Sequence, residues 1–176
     1  MASGNAQDAL DDANVLLELA PGLALAKLRR AEANMMLTNW EAAKDDLEVI
    51  IEDAPHHHHA LTQLAACYIS MDRPEKAEAP LNEALRLAPD HTDAWHQRGL
   101  LYLDWGREEA ALNDFEAAVR CDGSHLDARL HIAAIHHEAK RFVEASGAWK
   151  GVLAIEPDHA VARRRKEECE MAIATM

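Results

Sequence analysis

Glycine, cysteine, aromatic and basic residues are all scarce in this chain, and each shortage narrows what it can be. Seven glycines stand among 176 residues, and Phe, Trp and Tyr together make up 5% of them, while alanine and leucine abound. That balance favours helices over strands, so an all-α fold is expected. The three cysteines, Cys67, Cys121 and Cys169, are odd in number, far apart and without a C-x-x-C spacing. Neither a disulfide framework nor a zinc knuckle is indicated, and reduced, buried thiols are expected instead. The shortage of basic residues is the strongest, with 18 Lys and Arg against 31 Asp and Glu and a net charge of −13 at pH 7. Such a field repels a phosphate backbone and an anionic membrane surface, so neither nucleic acid nor membrane is an expected partner. No apolar run approaches the roughly 18 residues of a membrane span, and no charged and then apolar leader opens the chain. A cytoplasmic protein follows as the expectation. Glycine-rich phosphate loops, a nucleophile elbow and framed pairs of carboxylates are also missing, so no catalysis, cofactor or metal is expected.

What the chain does contain is a period. Pro55, Pro89 and Pro157 fit a step of 34 residues, with Gly123 where the remaining proline would fall. Ala43, Ala77, Ala111 and Ala145 keep the same step, as do the large apolar residues Leu47, Leu81, Phe115 and Trp149 and the small residues Ala31, Ala65, Gly99 and Ala133. Such columns resemble those of the tetratricopeptide repeat, a resemblance that implies two antiparallel helices in each unit. The small residue lets the second helix approach, the large one fills the gap, and the proline stops the second helix before the next unit.

The segment WHQRGLLY at 95–102, followed by Ala111, Phe115, Ala118 and Gly123, resembles the tetratricopeptide repeat, and LTQLAACY at 61–68 with Ala77, Leu81, Ala84 and Pro89 matches it almost as well. The resemblance covers nearly the whole chain and implies repeats at 24–57, 58–91, 92–125 and 126–159. The outer two depart from the pattern, with Lys27 and Arg129 in its tryptophan column and Asn34 and His136 in its tyrosine column. The implied fold is a right-handed α-solenoid, a superhelix of stacked helix pairs. Residues 1–23 then read as the second helix of an incomplete repeat, and residues 160–176 as a charged capping helix. Over residues 5 to 19 the apolar side of the first helix, including Leu10, Val15 and Leu16, is expected to be covered by another molecule or by a further copy. Removal of upstream sequence would be a second explanation of the half-repeat.

Four consecutive histidines, His56 to His59, invite comparison with a metal site or a tag. His57, His91, His125 and His159 are also 34 apart, however, so one of the four belongs to the repeat and the run reads as a solvated inter-repeat turn. A second group, Asp127, His131 and Glu138, falls at helical spacings, with Asp93 or His96 on the preceding first helix. Without converging ligands it reads as the acidic and polar wall of a groove.

The family resemblance implies that the first helix of every pair lines a concave face that holds a peptide or helix of a partner protein. The positions so implied are Leu28, Glu32, Met35 and Met36; Thr62, Ala66 and Ile69; His96, Leu100 and Leu103; and Leu130, Ala134, His137 and Glu138, with Asp93 and Asp127 at the acidic edge. One branch of the family grips the acidic tails of heat-shock chaperones with a cationic clamp, but Leu28, Glu32, Thr62, Ala66, His96 and Leu100 stand in those columns here. An apolar partner segment with a basic flank is expected instead. An adaptor is thus the leading reading, with a scaffold that associates through its half-repeat as the alternative, giving a homo-oligomer.

Overall fold

The computed structural model describes residues 2–176, with side chains from Asn5 onward. Met1, the first residue of the expected half-repeat, lies outside the described residues. Among the described residues there are α-helices, one short 3-10 turn and no strand. The helices are α1 (Ala2–Leu19), α2 (Ala24–Met36), α3 (Trp40–Asp53), α4 (His58–Ser70), α5 (Glu78–Leu87), α6 (Thr92–Asp104), α7 (Glu108–Cys121), α8 (Leu126–Glu138), α9 (Phe142–Ile155) and α10 (Ala160–Ala174), and the 3-10 turn Pro74–Lys76 precedes α5. They form two compact units, the first ending at Pro89 with α1 to α5 and the second running from Asp90 with α6 to α10. Within each unit every helix packs on the next one in the chain, as expected of an α-solenoid.

The columns read from the period are the core. Ala31, Ala65 and Ala133 are fully buried, as are Ala43, Ala77, Ala111 and Ala145 and the large residues Leu47, Leu81 and Phe115, with Trp149 at 4% exposure. A further column keeps the same step one position before the tryptophan position: Ala26, Ala60, Ala94, Ala128 and Ala162 are all sealed. Ala60, Ala128 and Ala162 join successive helix pairs within their units. Ala60 packs with Leu47 and Ile50 of the preceding pair, Ala128 with Phe115 and Ala118, and Ala162 with Trp149 and Val152. Cys67 and Cys169 are buried as expected, but Cys121 is exposed, because the last residue of α7 points out of the helix pair rather than into it.

The turns between helices follow the same step. Thr38, Asp72, Gly106 and Lys140 all have positive φ, between 58° and 67°. Each lets the chain fold back so that the next amide bonds to the last turn of the first helix, from Asn39 to the Asn34 carbonyl at 2.8 Å and from Arg107 to that of Tyr102 at 2.8 Å. Only one of the four is a glycine, although three carry a side chain that disfavours this conformation. At the other junction His57, His125 and His159 cap the following helix, their Nδ1 accepting the amides of Ala60, Ala128 and Ala162 at 3.1, 3.1 and 3.2 Å. The repeated histidine is therefore a helix cap, a role beyond the solvated turn expected of it.

Two ion pairs obey the period as well. Arg30 donates to both carboxylate oxygens of buried Asp46 at 2.7 and 2.6 Å, and Arg98 does the same to Asp114 at 2.7 and 2.8 Å. The alternate repeats place Leu64 with Pro80 and Ile132 with Ala148 at these positions, so the pair is present or replaced as a unit. Arg98 also lies over the Trp95 ring, 4.8 Å from its centroid.

The helices approach closely at Gly99, where an added Cβ would stand 2.7 Å from Cε1 of Phe115. Alanine in a helix interior gains about 1 kcal/mol over glycine, whereas overpacking costs about 1–3 kcal/mol, so the clash should win. Gly99→Ala should lower the melting temperature, and adding Phe115→Leu, which recreates the Ala65 and Leu81 pair, should restore it. Equal melting temperatures for the chain and Gly99→Ala would refute this contact. For the ion pair, Asp114→Ala should cost about 2–4 kcal/mol in denaturant unfolding by leaving Arg98 without its carboxylate, while Arg98→Ile with Asp114→Ala should recover most of the loss. A double variant no more stable than Asp114→Ala would show that the two positions are not coupled.

Candidate functional site

With the columns committed to packing, the first helices are left with the positions between them. In the first unit, Leu28 and Met35 are only partly open, because they pack against the cluster around Leu47 and Ile50. Of the expected apolar residues, Met36 and Ile69 are exposed, at 62% and 37%. Glu32 accepts from Gln63 Nε2 at 3.4 Å and lies 3.8 Å from His59 Nε2, which ties α2 to α4. Thr62 corrects an expectation, since it is 3% exposed and its hydroxyl donates to the His58 carbonyl at 3.0 Å within its own helix. With its donor spent inside the helix and its side chain buried, Thr62 presents nothing to a ligand.

The second unit brings more of the expected residues together. Asp93 and Asp127 are both exposed in the first turns of α6 and α8, where the helix dipole favours a carboxylate. Leu100 is 37% exposed on α6, and Glu138 is exposed at the end of α8. Leu103 and Leu130 are half-buried against the clusters around Phe115 and Trp149. The histidines form a wall rather than a ligand set. The His131 ring stacks on Phe115 with centroids 4.7 Å apart, and the His96 ring lies 4.7 Å from that of His125 and 5.7 Å from that of His131. Among the described residues no three His, Cys, Asp or Glu side chains converge as a metal site requires.

This packing governs protonation. Burial pushes His96 down to about 4, and the neighbouring His125 and His131 disfavour its charge further, against a smaller opposing pull from Asp127 and Asp93. His131 is lowered too, chiefly by burial, with Asp127 opposing. His136 is lowered by burial and by Arg141.

At the far end of the unit a cleft of about 220 Å³ opens between α8, α9 and α10, lined by Ala134, His137, Glu138, Trp149, Val161 and Arg165. His137 is not free to meet a ligand, as expected of it, because it is clamped on both sides. Its Nε2 accepts from Arg165 Nη1 at 3.2 Å, which leaves Nδ1–H to donate to Cys169 Sγ at 3.2 Å. Arg165 and Val161 of α10 line this cleft without being among the expected positions, since the sequence marks α10 only as a capping helix. Their signal was positional, since α10 continues the first-helix step from α8. Among the described residues no helix is long and apolar enough to cross a membrane.

The pH dependence follows from the shifts. Between pH 6.5 and about 4 the unfolded chain binds a proton at His96 that the folded chain refuses, so stability present above 6.5 is lost as the pH falls through this window. The denaturant midpoint should decline over that range, and His96→Phe should flatten the decline. An equally steep decline in His96→Phe would remove His96 as its source.

Comparison with known proteins gives a consistent picture. Residues 25–57 and 64–130 match two sequence models of the tetratricopeptide repeat. No curated protein matches the sequence. Among solved structures, MamA superimposes with a TM-score of 0.78 at 20% identity, covering 89% of this chain and 92% of that one. The thermophilic TPR protein TTC0263 of Thermus thermophilus does so with 0.73 at 20% identity over 96% and 92% of the two chains. YrrB, described as a TPR protein with an unusual peptide-binding site, gives 0.71 at 22% identity over 93% and 84%. At these identities the likeness is one of fold.

Proposed function

Because the chain belongs to the tetratricopeptide repeat family, we propose that it is a protein-interaction module, an adaptor without catalysis whose first-helix face holds a peptide or helix of a partner protein. YrrB, one of the structurally similar proteins, has a peptide-binding site, and this reading assigns the same type of ligand here. The observation that carries it is the first-helix surface of the second unit: Asp93 and Leu100, seven residues apart on one face of α6, are exposed, as are Asp127 and Glu138 on α8, where Glu138 also lines the cleft with Ala134 and Val161. An apolar side chain docked on Leu100 contributes about 1.5–3 kcal/mol, and the carboxylates select a basic flank through long-range attraction. Met36 and Ile69 offer apolar surface of their own in the first unit. The chain's charge of −13 opposes an acidic peptide.

Selection from a displayed random-peptide library tests this reading. Enriched peptides should place an apolar anchor next to Lys or Arg. Leu100→Asp should weaken the selected peptide roughly hundredfold, since it sets a charge against the anchor. Val143→Asp, at a residue of α9 that is 67% exposed, should leave binding unchanged. Reversing Asp93 and Asp127 should slow association and reduce its salt dependence. Enrichment of acidic peptides, or loss of binding in Val143→Asp with none in Leu100→Asp, would overturn the assignment.

A further inference from the structure

Each end of the described chain carries one helix of a pair without the other. α1 stands where a second helix stands, packing on α2 as α3 packs on α4. At the 34-residue step Ala9 and Leu16 correspond to Ala43 and Ile50. Ala43 and Ile50 are sealed at 0% and 1%, whereas Ala9 is exposed and Leu16 is 46% exposed, because no described helix lies over α1 as α2 lies over α3. α10 stands where a first helix stands. His159 caps it as His125 caps α8, Ala162 continues the sealed alanine column, and it packs on α9 as α8 packs on α7. Its other side, with Arg163, Glu167 and Glu170, is exposed.

We propose that α10 of one copy packs antiparallel on α1 of a second copy, completing a helix pair between molecules, so that the chain associates head to tail. The pairing rules inside the chain supply the evidence. The columns that hold Arg30 with Asp46 and Arg98 with Asp114 hold Lys166 in α10 and Asp12 in α1. The columns in which Asn39 Nδ2 donates to Asn34 Oδ1 at 3.3 Å hold Asn5 in α1 and Glu170 in α10, again an amide donor for an oxygen acceptor. Glu167 stands in the column that Ala31, Ala65, Gly99 and Ala133 fill, so its carboxylate keeps this crossing wider than one within a repeat.

Charge points the same way. α1 carries Asp8, Asp11, Asp12 and Glu18 and no basic residue, while α10 opens with Arg163, Arg164, Arg165 and Lys166. An antiparallel pair sets that basic half over the half of α1 that holds Asp12 and Glu18. Lys166 now reaches Glu170 at 3.2 Å, an exposed contact worth little and readily exchanged. The contact joins two different surfaces and so is heterologous. It goes beyond the adaptor reading and uses other faces of the helices, so either can fail without the other.

Sedimentation of the full chain from about 1 μM to about 1 mM tests the proposal, since head-to-tail association is driven by concentration. The average mass should rise with concentration. Asp12→Lys and Lys166→Glu, both at helix surfaces and checked by unchanged helix content, should each move the midpoint to at least about tenfold higher concentration by setting like charges face to face. An equimolar mixture of the two variants should recover the association of the original chain, because every contact between unlike copies then joins opposite charges. Leu16→Asp should weaken it without rescue in any mixture. A chain that stays monomeric throughout, association indifferent to both reversals, or a mixture no more associated than its components would each overturn the proposal.

Discussion

A Cβ on Gly99 would lie 2.7 Å from the ring of Phe115, and this crowding is the constraint on which each repeat depends. Two helices packed this closely need a small residue on one and a large one on the other, at the same height, in every pair. The buried columns meet that demand with Ala65 under Leu81, Gly99 under Phe115 and Ala133 under Trp149. The alanines Ala60, Ala128 and Ala162 meet it again between one pair and the next within a unit. Stability in such a stack is a sum of near-neighbour terms, so each repeat is held by its own crossing and by the helix that follows.

Function is confined to what these columns leave over. Residues between them on the first helices are free of the packing rule, and in the second unit they include exposed Leu100 and the exposed carboxylates of Asp93, Asp127 and Glu138. The histidines there are structural in a less obvious way. His96 and His131 pack around Phe115 and burial disfavours their charged forms, so these two add no positive charge beside Asp93 and Asp127 at neutral pH.

Much of this was legible beforehand. The helical content, the 34-residue step and the buried small and large columns follow from residue identity alone, because a repeat writes the same packing problem several times. Other features were equally periodic but chemically disguised. The turns at Thr38, Asp72, Gly106 and Lys140 share one backbone conformation without sharing a residue type, so nothing in their side chains announces it. The Arg and Asp partners lie in different helices and occur in only two of the repeats, which hides them from a search for columns that never vary. The candidate face was less legible still. Thr62 and His137 stand in lining positions, yet one is sealed within its helix turn and the other is clamped between Arg165 and Cys169.

By itself, then, the sequence determined the fold class, the period and the residues of the core, because burial in a helix pair depends on size and spacing, and both are written along the chain. It also determined the acidic character, which is a matter of counting. The tertiary structure decided which lining residues remain open, which histidines are too buried to be charged, and that α10 supplies part of a cleft. Those properties depend on what lies opposite a side chain in a neighbouring helix, and distance along the chain does not encode that.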